Sequence, residues 1–203
     1  MVTSPGYAAV VLAGGAGRRL GGAAKPALAV AGQPMLHRVL AAVADARPRV
    51  VVGPATLPVP PGVIRTQERP PGGGPAPAIA AGLARVPETA RLVAVLAADL
   101  PLLTAAAVAR LRRAAAEPGL DGAVFADHTG RPQWLCGIWQ AGPLRERLAS
   151  QPADLAGTPV HRLLAGLAAA RVTDPGPGPP PWWDCDTAAD LRHAEYWSHG
   201  DPR

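Results

Sequence analysis

The chain has little of several residue types that mark particular protein classes. Its two cysteines, Cys136 and Cys185, form no C-x-x-C motif and have no histidine pair nearby, which argues against zinc and against a disulfide framework. No apolar run is long enough for a transmembrane helix. The first residues also lack the basic and apolar regions of a signal peptide. These absences predict a cytoplasmic protein without a membrane partner.

Residues suited to nucleic-acid binding are also scarce. The chain has one phenylalanine, two tyrosines and very little lysine, although its formal net charge is +5. No basic run or basic helix face stands out, so we expect no nucleic-acid partner. A positive net charge is equally typical of a protein that attracts small anions into a cleft.

Apolar residues, in contrast, are plentiful. They make up 48% of the 203 residues, which is enough for the core of a single domain spanning residues 1–203. Apolar segments at 7–12, 49–52 and 91–98 read as strands that alternate with helical segments. This alternation predicts an α/β fold, a mostly parallel central sheet with helices on both faces.

The C-terminal third contains three further local signals. Thr158-Pro159 predicts the start of a helix that reaches Ala170. The Pro- and Gly-rich segment 174–181 predicts a surface loop. Thr187 and Asp190 have the spacing of a capping box, which predicts a last helix.

A Gly-rich segment with three basic residues follows the first predicted strand. It reads LAGGAGRRLGGAAK from Leu12 to Lys25. Glycine lets backbone amides approach a ligand closely, and arginine and lysine supply charge for a triphosphate. The segment lacks the Gly-Lys-Ser/Thr ending of a Walker A loop, and Leu20 replaces the last glycine of a dinucleotide fingerprint. It therefore predicts a nucleotide site of another kind.

The same segment resembles the signature of nucleotidyltransferases similar to the molybdenum cofactor guanylyltransferases. That family carries Leu-Ala-Gly-Gly, an arginine, Met or Leu, Gly-Gly and a lysine, matched here by 12–15, Arg19, 20–22 and Lys25. The resemblance implies a three-layer, Rossmann-like nucleotidyltransferase fold and an Mg²⁺ cofactor. It also implies that GMP is transferred from GTP to molybdopterin, with release of pyrophosphate.

The resemblance further implies which residues form the nucleotide site. Arg19, Lys25 and Asp99 are the predicted catalytic residues, and all three are expected to contact the nucleotide. The other predicted nucleotide-binding residues are Leu12, Ala13, Gly14, Gly15, Gly17, Gly53, Glu68 and Gly74. Glu68 and Gly74 match the family's acidic residue and Gly-Pro, although a Pro/Gly-rich segment can also be an ordinary turn.

Two aspartates are the predicted magnesium ligands. Asp99 follows the strand at 91–98, where ligands collect in parallel α/β sheets, and hard cations prefer oxygen ligands. Its Asp-Leu-Pro context resembles the second motif of the family. Asp186 is the second predicted ligand. For both residues the alternative is a structural role as the cap of the following helix.

Four residues are predicted to bind the acceptor. Arg131 and Gln133 lie in a segment that resembles the family's Gly-Arg-x-Gln-Pro-Leu, but Trp134 replaces the proline. Asp184 and Asp186 stand where relatives carry asparagine. A further departure is alanine, instead of the usual aspartate, directly before the signature lysine.

The sequence is compatible with more than one function. Leu-Ala-Gly-Gly rather than Leu-Ala-Ala-Gly favours GTP over CTP. The alternatives are a CTP-dependent molybdopterin cytidylyltransferase, transfer to a sugar phosphate or phospholactate, and a non-catalytic module that binds or carries a nucleotide or cofactor. The implied partners are GTP, molybdopterin and proteins of molybdoenzyme maturation.

Overall fold

A central sheet organises the part of the chain that the computed structural model describes, residues 6–14, 25–152, 154–173 and 178–199. Seven of the described strands form this sheet, in the order β5-β4-β1-β6-β8-β7-β9, and β2 and β3 form a separate hairpin. The strands are β1 (Tyr7–Leu12), β2 (Ala29–Val30), β3 (Gln33–Pro34), β4 (Arg49–Val52), β5 (Ile64–Thr66), β6 (Leu92–Ala97), β7 (Gly122–Ala126), β8 (Pro132–Gln140) and β9 (Ala169–Val172). The helices are α1 (Met35–Ala42), α2 (Pro75–Leu83), α3 (Ala105–Ala114), α4 (Ala141–Ala149), α5 (Val160–Leu164) and α6 (Ala188–Ser198).

The sheet is mostly parallel, as predicted. Only β8 runs against its two neighbours, β6 and β7. β1 pairs in parallel with both β4 and β6, and all six of its residues are buried. Burial on both faces explains why this strand is a continuous apolar run. The register places Leu12 beside Val52 and Ala97, so three parallel strands end together at one edge of the sheet.

Helices cover both faces of the sheet, which confirms the predicted three-layer arrangement. Leu36 of α1 and Leu111 of α3 pack on one face. Ile79 of α2, Leu144 of α4 and Leu163 of α5 pack on the other. The capping box at α6 is confirmed too, because the side chains of Thr187 and Asp190 each accept a hydrogen bond from the other residue's backbone.

The prediction of a long helix after Thr158 is wrong. Helix α5 is short, and residues 169–172 form β9, which pairs in parallel with β7. The alanines at 168–170 favour a helix locally, but pairing with β7 satisfies backbone groups that would otherwise be exposed at the sheet edge.

The predicted surface loop at 174–181 is described only in part. Residues 174–177 of the predicted surface loop lie outside the described residues, and 178–181 form neither helix nor strand. Within the described ranges, no helix has the length and apolar character needed to cross a membrane.

Candidate active site

The predicted nucleotide loop leaves the sheet between β4 and β6. The backbone N–H of Ala13 donates to the carbonyl of Val52 at 2.7 Å, and the N–H of Ala98 donates to the carbonyl of Leu12 at 3.0 Å. Gly53 follows β4 and lies against Ala13. A Cβ at position 53 would be 3.2 Å from the Ala13 carbonyl oxygen, so a glycine fits here without displacing the loop. Residues 12–14 and Gly53 are therefore neighbours.

Three of the predicted nucleotide-binding residues belong to the middle of the loop. Gly15, Gly17 and Arg19, which the resemblance assigns to the nucleotide, lie outside the described residues. Their roles stay predictions. The described chain resumes at Lys25, the first residue of a short 3₁₀ helix that ends at Ala27.

Lys25 connects three distant parts of the chain. Its ammonium group donates to a carboxylate oxygen of Asp99 and, at 2.8 Å, to one of Asp186. It is also the only lysine in the sequence. Partial burial opposes its positive charge, but the hydrogen bonds to Asp186 and Asp99 outweigh this effect and raise its pKa. Lys25 therefore carries a positive charge throughout the neutral pH range.

The two aspartates are not helix caps. The cap of α3 is Thr104, whose hydroxyl accepts a hydrogen bond from the Ala107 N–H at 3.1 Å, and the cap of α6 is Thr187. Asp99 instead lies just beyond the carboxyl end of β6. Its carbonyl accepts a hydrogen bond from the Cys185 N–H at 3.2 Å, which holds the segment bearing Asp186 against the end of the sheet.

A third aspartate adds negative charge to this group. Residue 184 as a whole is exposed, yet partial burial of its carboxyl group raises its pKa, and the charges of Asp186 and Asp99 raise it further. Asp99 and Asp186 thus bond to the Lys25 ammonium group, and Asp184 interacts with the charges of all three residues. Among the described residues, no group of three or more acidic, histidine or cysteine side chains is arranged to hold a metal ion.

We expect Asp184→Asn to stabilise the metal-free protein at neutral pH. A carboxyl group whose folded-state pKa is raised destabilises the fold once it ionises, so the cost appears as pH rises above the ordinary value of 3.8. Thermal unfolding in EDTA should show a gain of about 1–2 °C at neutral pH, because the residue is exposed and the effect small. The gain should vanish below about pH 4. An equal gain at both pH values would contradict the electrostatic explanation.

Glu68 lies beside the start of the nucleotide loop. It is only 6% exposed. One carboxylate oxygen accepts a hydrogen bond from the Gly72 N–H at 2.9 Å, and the other has no partner among the described residues. A Cβ at Gly14 would lie 3.9 Å from this carboxylate. Gly74, with a φ of +96° that favours glycine, directly precedes α2.

A cleft of about 730 Å³ opens next to Asp99. Of the predicted acceptor-binding residues, Arg131, Gln133 and Asp184 line it, whereas Asp186 binds Lys25. Trp182 and His161 also line the cleft. We did not predict these two residues, because they come from segments far apart in the sequence and carry no motif.

The sequence of this chain is similar to those of known nucleotidyltransferases. Residues 9–172 match the family described as the MobA-like NTP transferase domain. The sequence is 32% identical over 201 residues to a molybdenum cofactor guanylyltransferase of Bradyrhizobium sp. (strain ORS 278), covering 95% of this chain and 93% of that protein.

Solved structures show the same fold. One is molybdopterin-guanine dinucleotide biosynthesis protein A from Archaeoglobus fulgidus, with a TM-score of 0.70, 18% identity and coverage of 95% of this chain and 99% of that one. Another is 2-C-methyl-D-erythritol 4-phosphate cytidylyltransferase from Thermus thermophilus, with a TM-score of 0.68, 21% identity and coverage of 96% and 100%. By sequence match, coverage and fold, this chain belongs to the MobA-like NTP transferase family.

Proposed function

We propose that this protein transfers GMP from GTP to molybdopterin and releases pyrophosphate. The observation that carries the proposal is the group formed by Lys25, Asp99 and Asp186, which lies beside the loop residues 12–14 and opens onto a cleft. The guanylyltransferase relative, aligned along nearly the whole chain, supports the same reaction.

For this reaction the protein must align two anions, GTP and the acceptor phosphate. An oxygen of the acceptor phosphate attacks the α-phosphorus of GTP, the bond from this phosphorus to the α–β bridging oxygen breaks, and pyrophosphate leaves. No covalent intermediate with the protein is needed. Lys25 is the described cation best placed to stabilise negative charge on the phosphates, and Arg19 is proposed to do the same from the loop.

The carboxylates fit a magnesium ion. Their oxygens are the ligands that Mg²⁺ prefers. Because carboxylates and a triphosphate are both negatively charged and repel each other, binding the nucleotide beside these aspartates requires additional positive charge. Asp99 and Asp186 would hold the ion, which would supply positive charge to stabilise the phosphates and the leaving pyrophosphate.

The hydrogen-bonding capacity of the Glu68 carboxylate favours guanine as the base of the nucleotide substrate. Its unpaired carboxylate oxygen can only accept a hydrogen bond when ionised, and the Watson–Crick edge of guanine presents two donors, N1–H and the N2 amine. Cytosine presents an acceptor, N3, beside its amine. We propose that Glu68 receives the guanine edge, which argues against the CTP-dependent alternative.

The assay that tests the function measures pyrophosphate release with Mg²⁺ and each of the four NTPs. Molybdopterin released from a molybdoenzyme is the acceptor. We expect release with GTP that depends on the pterin. Preference for CTP would indicate a cytidylyltransferase, and nucleotide binding without any release would indicate a carrier module.

The same assay tests the role of Glu68. Glu68→Gln keeps the acceptor for the Gly72 N–H but replaces one acceptor oxygen with a donor, so we expect kcat/KM for GTP to fall by about 10- to 100-fold relative to CTP. An unchanged ratio of the two nucleotides would show that Glu68 does not contact the base.

A further inference from the structure

Two indole rings line the cleft beside Asp99 and belong to opposite faces of the sheet. Trp134 packs with the apolar residues on the face covered by α2, α4 and α5. Trp182 packs with those on the face covered by α1 and α3. Both contribute to the lining of the same cleft. The cleft is therefore lined by one indole from each face of the sheet.

Each of these rings is supported by a fully buried aromatic residue. Trp134 is stacked on Trp139, with ring centroids 6.2 Å apart and planes inclined by 14°. Trp182 lies 5.3 Å from Phe125, measured between ring centroids, at an angle of 37°. Because buried neighbours restrict both indoles, little side-chain entropy is lost when a ligand binds between them.

Three polar residues of the lining are suited to the polar edge of a ring. Gln133 and His161 can donate and accept hydrogen bonds, and Asp184 can accept them. Asp99 lies at the same cleft and bonds to Lys25, so the cleft is continuous with the proposed phosphate site. A ligand in this cleft can thus present a flat end to the indoles and a phosphate end to the region near Asp99.

We propose that Trp134 and Trp182 bind the planar heteroaromatic ring of the acceptor between them, and that Trp134 makes the protein selective for acceptors with such a ring. This inference rests on the proposed function. An acyclic phosphate or a sugar phosphate has no π face to stack on an indole, so it gains less from Trp134 and Trp182 than a heteroaromatic ring does.

Equilibrium binding of 6-carboxypterin, without nucleotide, tests the proposal by quenching of pterin fluorescence. Trp134→Leu keeps the side chain apolar but removes the π face, and we expect affinity to fall about 10-fold. Trp134→Phe should retain affinity within about 3-fold, because it keeps an aromatic face. Trp197→Leu is the matched control, since this indole packs against Trp183 at α6 and should leave affinity unchanged.

The wild-type protein provides a test that needs no variant. It should bind 6-carboxypterin at least about 10-fold more tightly than glucose 1-phosphate in a competition measurement. Equal affinity for the two probes, or wild-type affinity in Trp134→Leu, would overturn the proposal. Binding is measured without GTP, so loss of pterin affinity in Trp134→Leu supports the ring site even if no NTP yields pyrophosphate. If Trp134→Leu binds the pterin unchanged while the wild type releases pyrophosphate from GTP, only the ring site is refuted.

Discussion

Asp99→Ala and Lys25→Ala are each expected to slow pyrophosphate release by about 10²- to 10³-fold or more. Each variant removes a charge from the group in which the Lys25 ammonium bonds to both Asp99 and Asp186. Loss of Lys25 takes positive charge away from the proposed phosphate site, and loss of Asp99 removes a proposed magnesium ligand. Single-turnover release with GTP and molybdopterin measures the effect on the chemical step.

A matched control lies at the other end of β1. Asp45 bonds to the Tyr7 hydroxyl at 2.6 Å and to Arg112 at 2.9 Å, at the strand end opposite to Leu12. Asp45→Asn also disrupts an acid–base pair, but it should leave the rate unchanged. Lys25→Arg keeps the charge, yet it should restore activity only in part, because a planar guanidinium does not reproduce the geometry of an ammonium group. Wild-type rates in Asp99→Ala would refute the assigned site.

Gly82→Ala is expected to lower the free energy of unfolding by about 1–3 kcal/mol. Gly82 is buried in α2, and a Cβ there would lie 2.3 Å from a methyl group of Val10 and 3.0 Å from one of Val52. Helix α2 would have to move away from β1 and β4, which outweighs the roughly 1 kcal/mol by which alanine favours a helix over glycine. Urea unfolding followed by circular dichroism measures the change.

Gly142→Ala provides the comparison for this substitution. Gly142 lies in α4, and a Cβ there would meet no atom within 4 Å. The variant should be as stable as the wild type or slightly more stable. A loss of stability at Gly142 equal to that at Gly82 would show that close packing of α2 is not the cause.

The centre of the fold could be predicted from the sequence because its signals are local. The apolar runs of β1, β4 and β6 are mostly buried, and each is followed within two residues by a glycine or a polar residue at the sheet edge. β9 could not be predicted, since the alanines at 168–170 have no strand preference and the strand exists through its pairing with β7. Tertiary pairing here overrides local propensity.

The sequence predicts individual residues of the candidate site but not the contacts between them. Motifs indicated Lys25, Asp99 and Asp186 separately, but nothing in the spacing predicts that one ammonium group bonds to both carboxylates. The cleft was harder to foresee. Trp134 belongs to a strand and Trp182 to a loop, and only the course of the chain through the sheet brings them to one cavity.

The bond between Lys25 and Asp186 spans 161 residues. During synthesis, the loop that follows β1 and the central strands leave the ribosome long before Asp186 does. A nascent chain can therefore form the sheet around β1 while Lys25 still lacks one of its two carboxylate partners. A proteolytic cut that releases the segment after residue 178 has the same consequence, because it removes Asp186 together with the Cys185 amide that binds the carbonyl of Asp99. Activity is thus expected to require nearly the whole polypeptide, because the site combines residues from both ends of the chain.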